Sequence, residues 1–136
     1  MIKPIVRDVF FLGQKSDPAT KQDLSIGRDL MDTLAANLDR CVGMAANMIG
    51  EKKRIIVFCN GPMQMIMVNP EITAQSGEYE AEEGCLSLVG VRKTKRYRRI
   101  TVKCQDQAFR WHTGSFEGFT AQIIQHEIDH CNGVLI

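Results

Sequence analysis

Between Leu24 and Leu38 the apolar side chains Ile26, Leu30, Met31, Leu34 and Leu38 recur at intervals of three and four among polar ones, which predicts an amphipathic helix. The polar segment from Gln14 to Gln22, with Asp17-Pro18 inside it, reads as the loop that feeds this helix. Next comes a small, apolar stretch from Cys41 to Gly50, whose glycines let another backbone approach closely. The pattern then changes period. Arg54 to Cys59 is β-branched and apolar, Asn60-Gly61-Pro62 supplies turn chemistry, and Met65 to Asn69 reads as the hairpin partner. Further strands are expected from Glu71 to Tyr79 and from Arg99 to Gln105, where Ile100, Val102 and Cys104 alternate with Thr101 and Lys103 and imply one buried face. A short strand is expected at Phe109 to His112, after which Gly114 and Gly118 frame the entry to a final helix over roughly Phe119 to Cys131. Helix, several strands, helix is an α+β order and not a string of βαβ units.

Length and charge narrow the classes. A chain of 136 residues is expected to form a single domain, residues 1–136, able to bury about two-thirds of its unfolded surface. Seventeen basic and sixteen acidic residues leave a formal charge of +1, so no global field points to DNA or an anionic membrane. The run Arg92 to Arg99 has six basic residues in eight, with Tyr97 among them, and in isolation could contact phosphate. The balance of the remaining chain favours a solvated approach to a strand. The first residues, MIKPIVRDVFFLG, are interrupted by Lys3, Arg7 and Asp8 and lack a signal peptide's small-residue cleavage site. No apolar run approaches the ~20 residues needed to span a bilayer, so a cytoplasmic location is expected. Five cysteines, an odd number without a C-x-x-C pair, favour metal ligation or burial over a disulfide framework.

The chemistry concentrates in the last helix, at His126-Glu127-Ile128-Asp129-His130. A spacing of four puts both imidazoles on one helical face, about 6 Å apart at their β-carbons, so one ion can meet both rings. Glu127 sits one position round, near such an ion without needing to bind it. Phe119, Ile123, His126 and His130 form one stripe, which turns the histidines inward. H-E-x-x-H alone also arises by chance, or as two core histidines with neutral partners, and it demands context. After His130 the only thiol or imidazole is Cys131, which projects about 100° away from its neighbour, so a third ligand is expected upstream. Cys85 stands out, in Glu82-Glu83-Gly84-Cys85-Leu86-Ser87, where a glycine lets the backbone bend. Cys59 and Cys104 lie in expected strands and read as small buried hydrophobes. Cys41 and, further behind, His112 remain alternatives.

Three ordered segments together resemble the peptide deformylase family. Glu83-Gly84-Cys85-Leu86-Ser87 matches its E-G-C-L-S motif, Gln125-His126-Glu127-Ile128-Asp129-His130 its Q-H-E-x-D-H helix, and Cys41 to Met48 an altered form of its G-φ-G-φ-A-A-x-Q segment. The resemblance spans roughly residues 24 to 136. It implies an α+β fold of small mixed or antiparallel sheets packed around a C-terminal metal-binding H-E-x-x-H helix. It also implies one divalent metal held by Cys85, His126 and His130, with Fe2+ expected in the cell and Zn2+ or Ni2+ as alternatives. The implied activity is metal-dependent hydrolysis of the N-formyl group of N-formylmethionyl nascent peptides, with Glu127 moving the proton. The backbone N–H of Leu86 would help hold the oxyanion. Substrate is expected to pair along Val42, Gly43 and Met44, with its methionine in a pocket of Val42, Phe119 and Ile123. Arg96 falls where relatives carry a substrate-facing arginine. A monomer is expected, with transient ribosome contact as a further implied partner.

The main departure is Met48, which stands at the position of the family glutamine. A thioether cannot donate a hydrogen bond to an oxyanion. Losing one such donor typically lowers turnover about 100- to 1,000-fold. Cys41 replaces the first glycine and narrows the groove by a Cβ. The alternatives to a weakened deformylase are a related hydrolase with another acyl substrate and a metal-binding protein without physiological catalysis.

Overall fold

The computed structural model describes residues 1–85 and 87–135. A one-turn helix, α1 (Val9–Leu12), opens on Asp8, whose side chain accepts the Phe10 N–H, and it seats Leu12 fully in the interior. The apolar pattern did not predict this helix, which is too short to show a period. A reciprocal capping box between Thr20 and Asp23 then starts a 3-10 turn (Lys21–Asp23) that runs into α2 (Leu24–Ala36). Helix α2 ends two residues before the expected Leu38. Asn37 stops it, turning its amide back onto the Thr33 carbonyl at 2.7 Å.

Strands β1 (Gly43–Ala45), β2 (Ile55–Asn60), β3 (Met63–Cys85), β4 (Leu88–Gln105) and β5 (Trp111–Glu117) form one sheet in chain order, every pair antiparallel. The expectation of small mixed or antiparallel sheets thus narrows to a single antiparallel one. The β2–β3 hairpin forms as expected, with Asn60 opposite Met63 and Gly61 at φ +62 in the tight turn. Met65 to Asn69 and Glu71 to Tyr79, expected as separate strands, are one continuous β3 that kinks at Asn69-Pro70. Asn69 takes φ +51, and its side chain binds both backbone groups of Ala19 and the Gln105 side chain. Residues 109–112 form no strand as a unit. Phe109 lies in a turn at φ +63 organised by Asp106, and β5 begins at Trp111.

The basic run is part of β4 itself, not an approach to it. The facing segment of β3 is acidic, with Glu80 opposite Lys95, Glu82 opposite Lys93 and Glu83 opposite Arg92. Opposite charges across a strand pair stabilise the ladder and leave less unbalanced positive charge for phosphate.

The sheet carries a helix on each face. On one side α3 (Gly118–Cys131) packs Ile124 and Ile128 against Ile56, Phe58, Ile100 and Val102; on the other, Leu30 and Leu34 of α2 meet Met44, Ile55, Val57 and Val68. Strand alternation explains the partition, because Ile56 and Phe58 point one way and Ile55 and Val57 the other. The same alternation turns Gly43 and Ala45 of β1 toward α3 and Met44 toward α2. No described helix is long and apolar enough to cross a membrane.

Candidate active site

One side chain of helix α3 clamps the backbone of β4. The ladder to β5 ends at Arg99–Glu117, and two residues further along β4 the Gln125 amide both accepts the Tyr97 N–H and donates to the Tyr97 carbonyl, each at 2.8 Å. That clamp sets the rotation of the helix, and His126 and His130 consequently face the end of β3. The two Nε2 atoms lie 3.0 Å apart, and Cys85 Sγ is 3.3 Å from His130 Nε2. All three donor atoms lie within 4.8 Å of one another. Among the alternatives, Cys41 lines the adjoining cavity without joining this cluster, and His112 is exposed on β5, bound to Asp106 at 2.6 Å.

Glu83, Gly84 and Cys85 were expected in a bent loop but form the last residues of β3. An extended backbone puts residues i and i+2 on one face, so Glu83 and Cys85 both point at α3. The Glu83 carboxylate accepts from His126 Nδ1 at 2.8 Å and takes two bonds from Arg96, from Nε at 2.8 Å and from Nη2 at 2.6 Å. Arg96 Nη1 reaches Asp129 at 2.6 Å. A chain of contacts therefore runs Asp129–Arg96–Glu83–His126. It fixes His126 with Nδ1 occupied and Nε2 turned to the cluster, the arrangement that orients a metal-binding histidine.

Arg96 is the clearest correction to the sequence reading. Expected to face substrate, it is 3% exposed and fully engaged by two carboxylates. Glu83 and Asp129 lay inside the quoted motifs but carried no role in the sequence reading. Their signal was present as two charged letters flanking the ligands, and only their shared partner gives those charges a purpose.

The charges follow from these contacts. Burial alone would raise the Glu83 carboxyl, but the bonds from His126 and Arg96 outweigh it and hold the group at about 2. Burial would lower His126, yet its contacts with Cys85, Glu127 and Glu83 raise it to about 10. His130 is pushed down to about 3 by burial and by the neighbouring His126. In the protein alone, one imidazole thus holds the proton and its neighbour does not. Burial raises Glu127 to about 7, with His126 the main opposing influence. The Glu127 Oε1 atom is buried with no protein partner. A carboxyl poised near neutrality with one oxygen free can accept and return a proton.

Beside the cluster opens a cavity of about 650 Å³. Of the expected substrate residues, Val42, Gly43, Phe119 and Ile123 line it, as does Met48. Met44 does not: its side chain is fully buried against α2, so only its backbone remains on the outer edge of β1. Gly43 is required where it stands, because a Cβ there would come 2.7 Å from Ile123 Cγ2 and 3.0 Å from Glu127 Oε2. Burial, followed by the charge of Glu127, raises the Cys41 thiol to about 11, so it stays protonated at neutral pH. Arg40 and Gln122 also line the cavity and were not anticipated. Leu86 lies outside the described residues.

The family model for polypeptide deformylase matches residues 4–136. A peptide deformylase of Clostridium beijerinckii is 58% identical over 136 residues, covering 100% of both chains. One from Dictyoglomus thermophilum is 37% identical over 134 residues, covering 98% of this chain and 84% of the relative. Among solved structures, the Thermotoga maritima peptide deformylase superposes with a TM-score of 0.89 at 30% identity, over 99% of this chain and 95% of that one. A class I type b peptide deformylase from Acinetobacter baumannii with Met-Ala-Ser bound gives a TM-score of 0.88 at 28% identity, over 99% and 97% of the two chains.

Proposed function

Because the chain belongs to the peptide deformylase family, we propose that it removes the formyl group from N-formylmethionyl peptides at the cluster of Cys85, His126 and His130, with Glu127 as the proton-transfer residue. The observation that carries this assignment is the convergence of one thiol and two imidazoles beside a buried carboxyl with an unpartnered oxygen.

The donor set fits one divalent ion. A thiolate and two neutral imidazoles are the ligand types of a catalytic site that keeps a position open for water; they accept Fe2+, Zn2+ and Ni2+ alike, and availability selects Fe2+ in the cell. When bound, the ion supplies Lewis acidity that brings water toward hydroxide and polarises the formyl carbonyl. Around that chemistry the chain's own groups do the following. Glu83, held by Arg96, keeps His126 Nδ1 occupied so that Nε2 is the free donor atom. Glu127 takes the water proton as oxygen attacks the formyl carbon. It returns that proton to the methionyl nitrogen as the C–N bond breaks, leaving formate and a free amine.

The peptide adds to the free edge of β1, pairing with the backbone from Val42 to Met44. Its methionine side chain enters the cavity beside Val42, Phe119 and Ile123. Met-Ala-Ser in the Acinetobacter baumannii relative is the kind of product such a groove would release. In this reading Leu86 contributes its backbone N–H to the oxyanion, and Met48 takes the place of a donor. Nascent peptides are the physiological substrate, and the protein acts as a monomer in the cytoplasm.

The test is hydrolysis of formyl-Met-Ala-Ser by protein purified anaerobically and analysed for metal in the same sample. Replacing Glu127 by Gln should abolish hydrolysis while metal content stays the same. A retained rate in that variant removes Glu127 from the mechanism, and metal-loaded native protein without formate release would leave the metal-binding reading in its place.

A further inference from the structure

Gln122 lies on α3 between Phe119 and His126, three residues after the first and four before the second, so it shares the helix face that carries the histidines. It lines the cavity whose apolar lining includes Val42, Leu88, Phe119 and Ile123 and whose charged lining includes Glu83 and Glu127, and it is a neutral hydrogen-bonding amide. Two neighbours orient that amide. Its Oε1 accepts the Tyr79 hydroxyl at 3.3 Å, and its Nε2 donates to Glu83 Oε2 at 2.9 Å. An amide nitrogen carries two hydrogens. Glu83 takes one, and among the described residues no acceptor engages the other.

We propose that Gln122 is a specificity-determining residue that recognises the thioether sulfur of the substrate's methionine through this second hydrogen. The assignment rests on the deformylase reading above and extends it to one atom of the side chain. Tyr79 engages the amide oxygen and Glu83 one amide hydrogen, so what Gln122 itself has left to offer the cavity is a donor. Thioether sulfur is a weak acceptor, so the bond contributes little by itself. Discrimination arises from the alternative. Norleucine has the same length with a methylene in place of sulfur, and it would cover the amide hydrogen with a group that accepts nothing.

The experiment compares kcat/KM of the metal-loaded enzyme for formyl-Met-Ala-Ser and formyl-norleucyl-Ala-Ser. Native protein should favour methionine by about 3- to 10-fold, mainly in KM, because the sulfur lies away from the bond that breaks. Gln122→Leu should bring the ratio close to one whatever happens to the absolute rates, since any disturbance of Glu83 affects both peptides alike. Tyr79→Phe keeps the donor but removes one of its two restraints, and should narrow the ratio partway. A native ratio near one, or an undiminished ratio in Gln122→Leu, overturns the proposal while leaving deformylation intact. If Gln122→Leu does not fold, Tyr79→Phe decides, and an unchanged ratio there counts against it. Native protein that cleaves neither peptide removes both this inference and the function on which it rests, an outcome distinct from cleavage without discrimination.

Discussion

Arg96 grips Glu83 at two points, through Nε at 2.8 Å and Nη2 at 2.6 Å, with both residues buried. That pair stands directly behind His126, and among the described residues Glu83 is the only carboxylate hydrogen-bonded to the ring. Removing one partner of a buried pair leaves the other charge without compensation. Arg96→Ala is therefore expected to lower stability by about 3 to 5 kcal/mol in urea unfolding. Metal affinity in the folded fraction should fall about 10- to 100-fold, measured by competition with a chelator. Arg96→Lys keeps the charge but loses the two-point geometry, and should lie between. An Arg96→Ala protein with native affinity would disconnect this pair from the ligand.

Met48 is buried and lines the cavity, at the position where the family resemblance expects a glutamine. Met48→Gln should raise turnover of formyl-Met-Ala-Ser by about one to three decades with metal content unchanged. No increase would mean that another donor already serves the oxyanion, or that the groove beside Cys41 limits the rate.

Gly43 makes room for the Glu127 carboxylate. In Gly43→Ala the new methyl group would sit 2.7 Å from Ile123 Cγ2 and 3.0 Å from Glu127 Oε2, so the carboxylate must move. Turnover should drop about 10- to 100-fold while metal binding and fold persist, as read by metal analysis and circular dichroism. Full activity in this variant would show that Glu127 tolerates displacement.

Acid should act through Glu83. Its carboxyl falls from the ordinary 4.5 to about 2 on folding, so its stabilising contribution is complete above about 4.5 and disappears as pH falls toward 2. His126 has the opposite sign. It rises from 6.5 to about 10, so in the metal-free protein its contribution is present below 6.5 and is lost as pH rises through 10. An ion must displace that proton, and metal affinity should therefore increase with pH between 6.5 and 10. Urea midpoints of the metal-free protein at several pH values check the first two trends, with Glu83→Gln expected to flatten the acid limb. Calorimetry in two buffers of different ionisation enthalpy checks proton release; a signal independent of buffer would contradict it.

The parts of the molecule legible in the sequence are those governed by short-range geometry. The four-residue spacing of His126 and His130 puts them on one helix face in any context, and Asn60-Gly61-Pro62 closes the β2–β3 hairpin by its own turn chemistry. Cys85 was singled out among five cysteines by its Glu-Gly-Cys setting, and the ligand chemistry followed from residue types.

What required the tertiary structure depended on partners distant in sequence. Arg96 and Glu83 are thirteen residues apart, Arg96 also meets Asp129 of another element, and a run of six cations reads as a surface feature until the acidic strand opposite it is known. The union of two expected strands into one β3 rests on a bulge held by Ala19 and Gln105, both remote from Asn69. Met44 was expected to meet substrate through its backbone, which lies on the edge strand β1, while strand alternation commits its side chain to the α2 face. Residue identity sets which groups can bind a metal or move a proton; long-range pairing decides which of them face one another, because burial and ion pairing depend on the whole chain having closed.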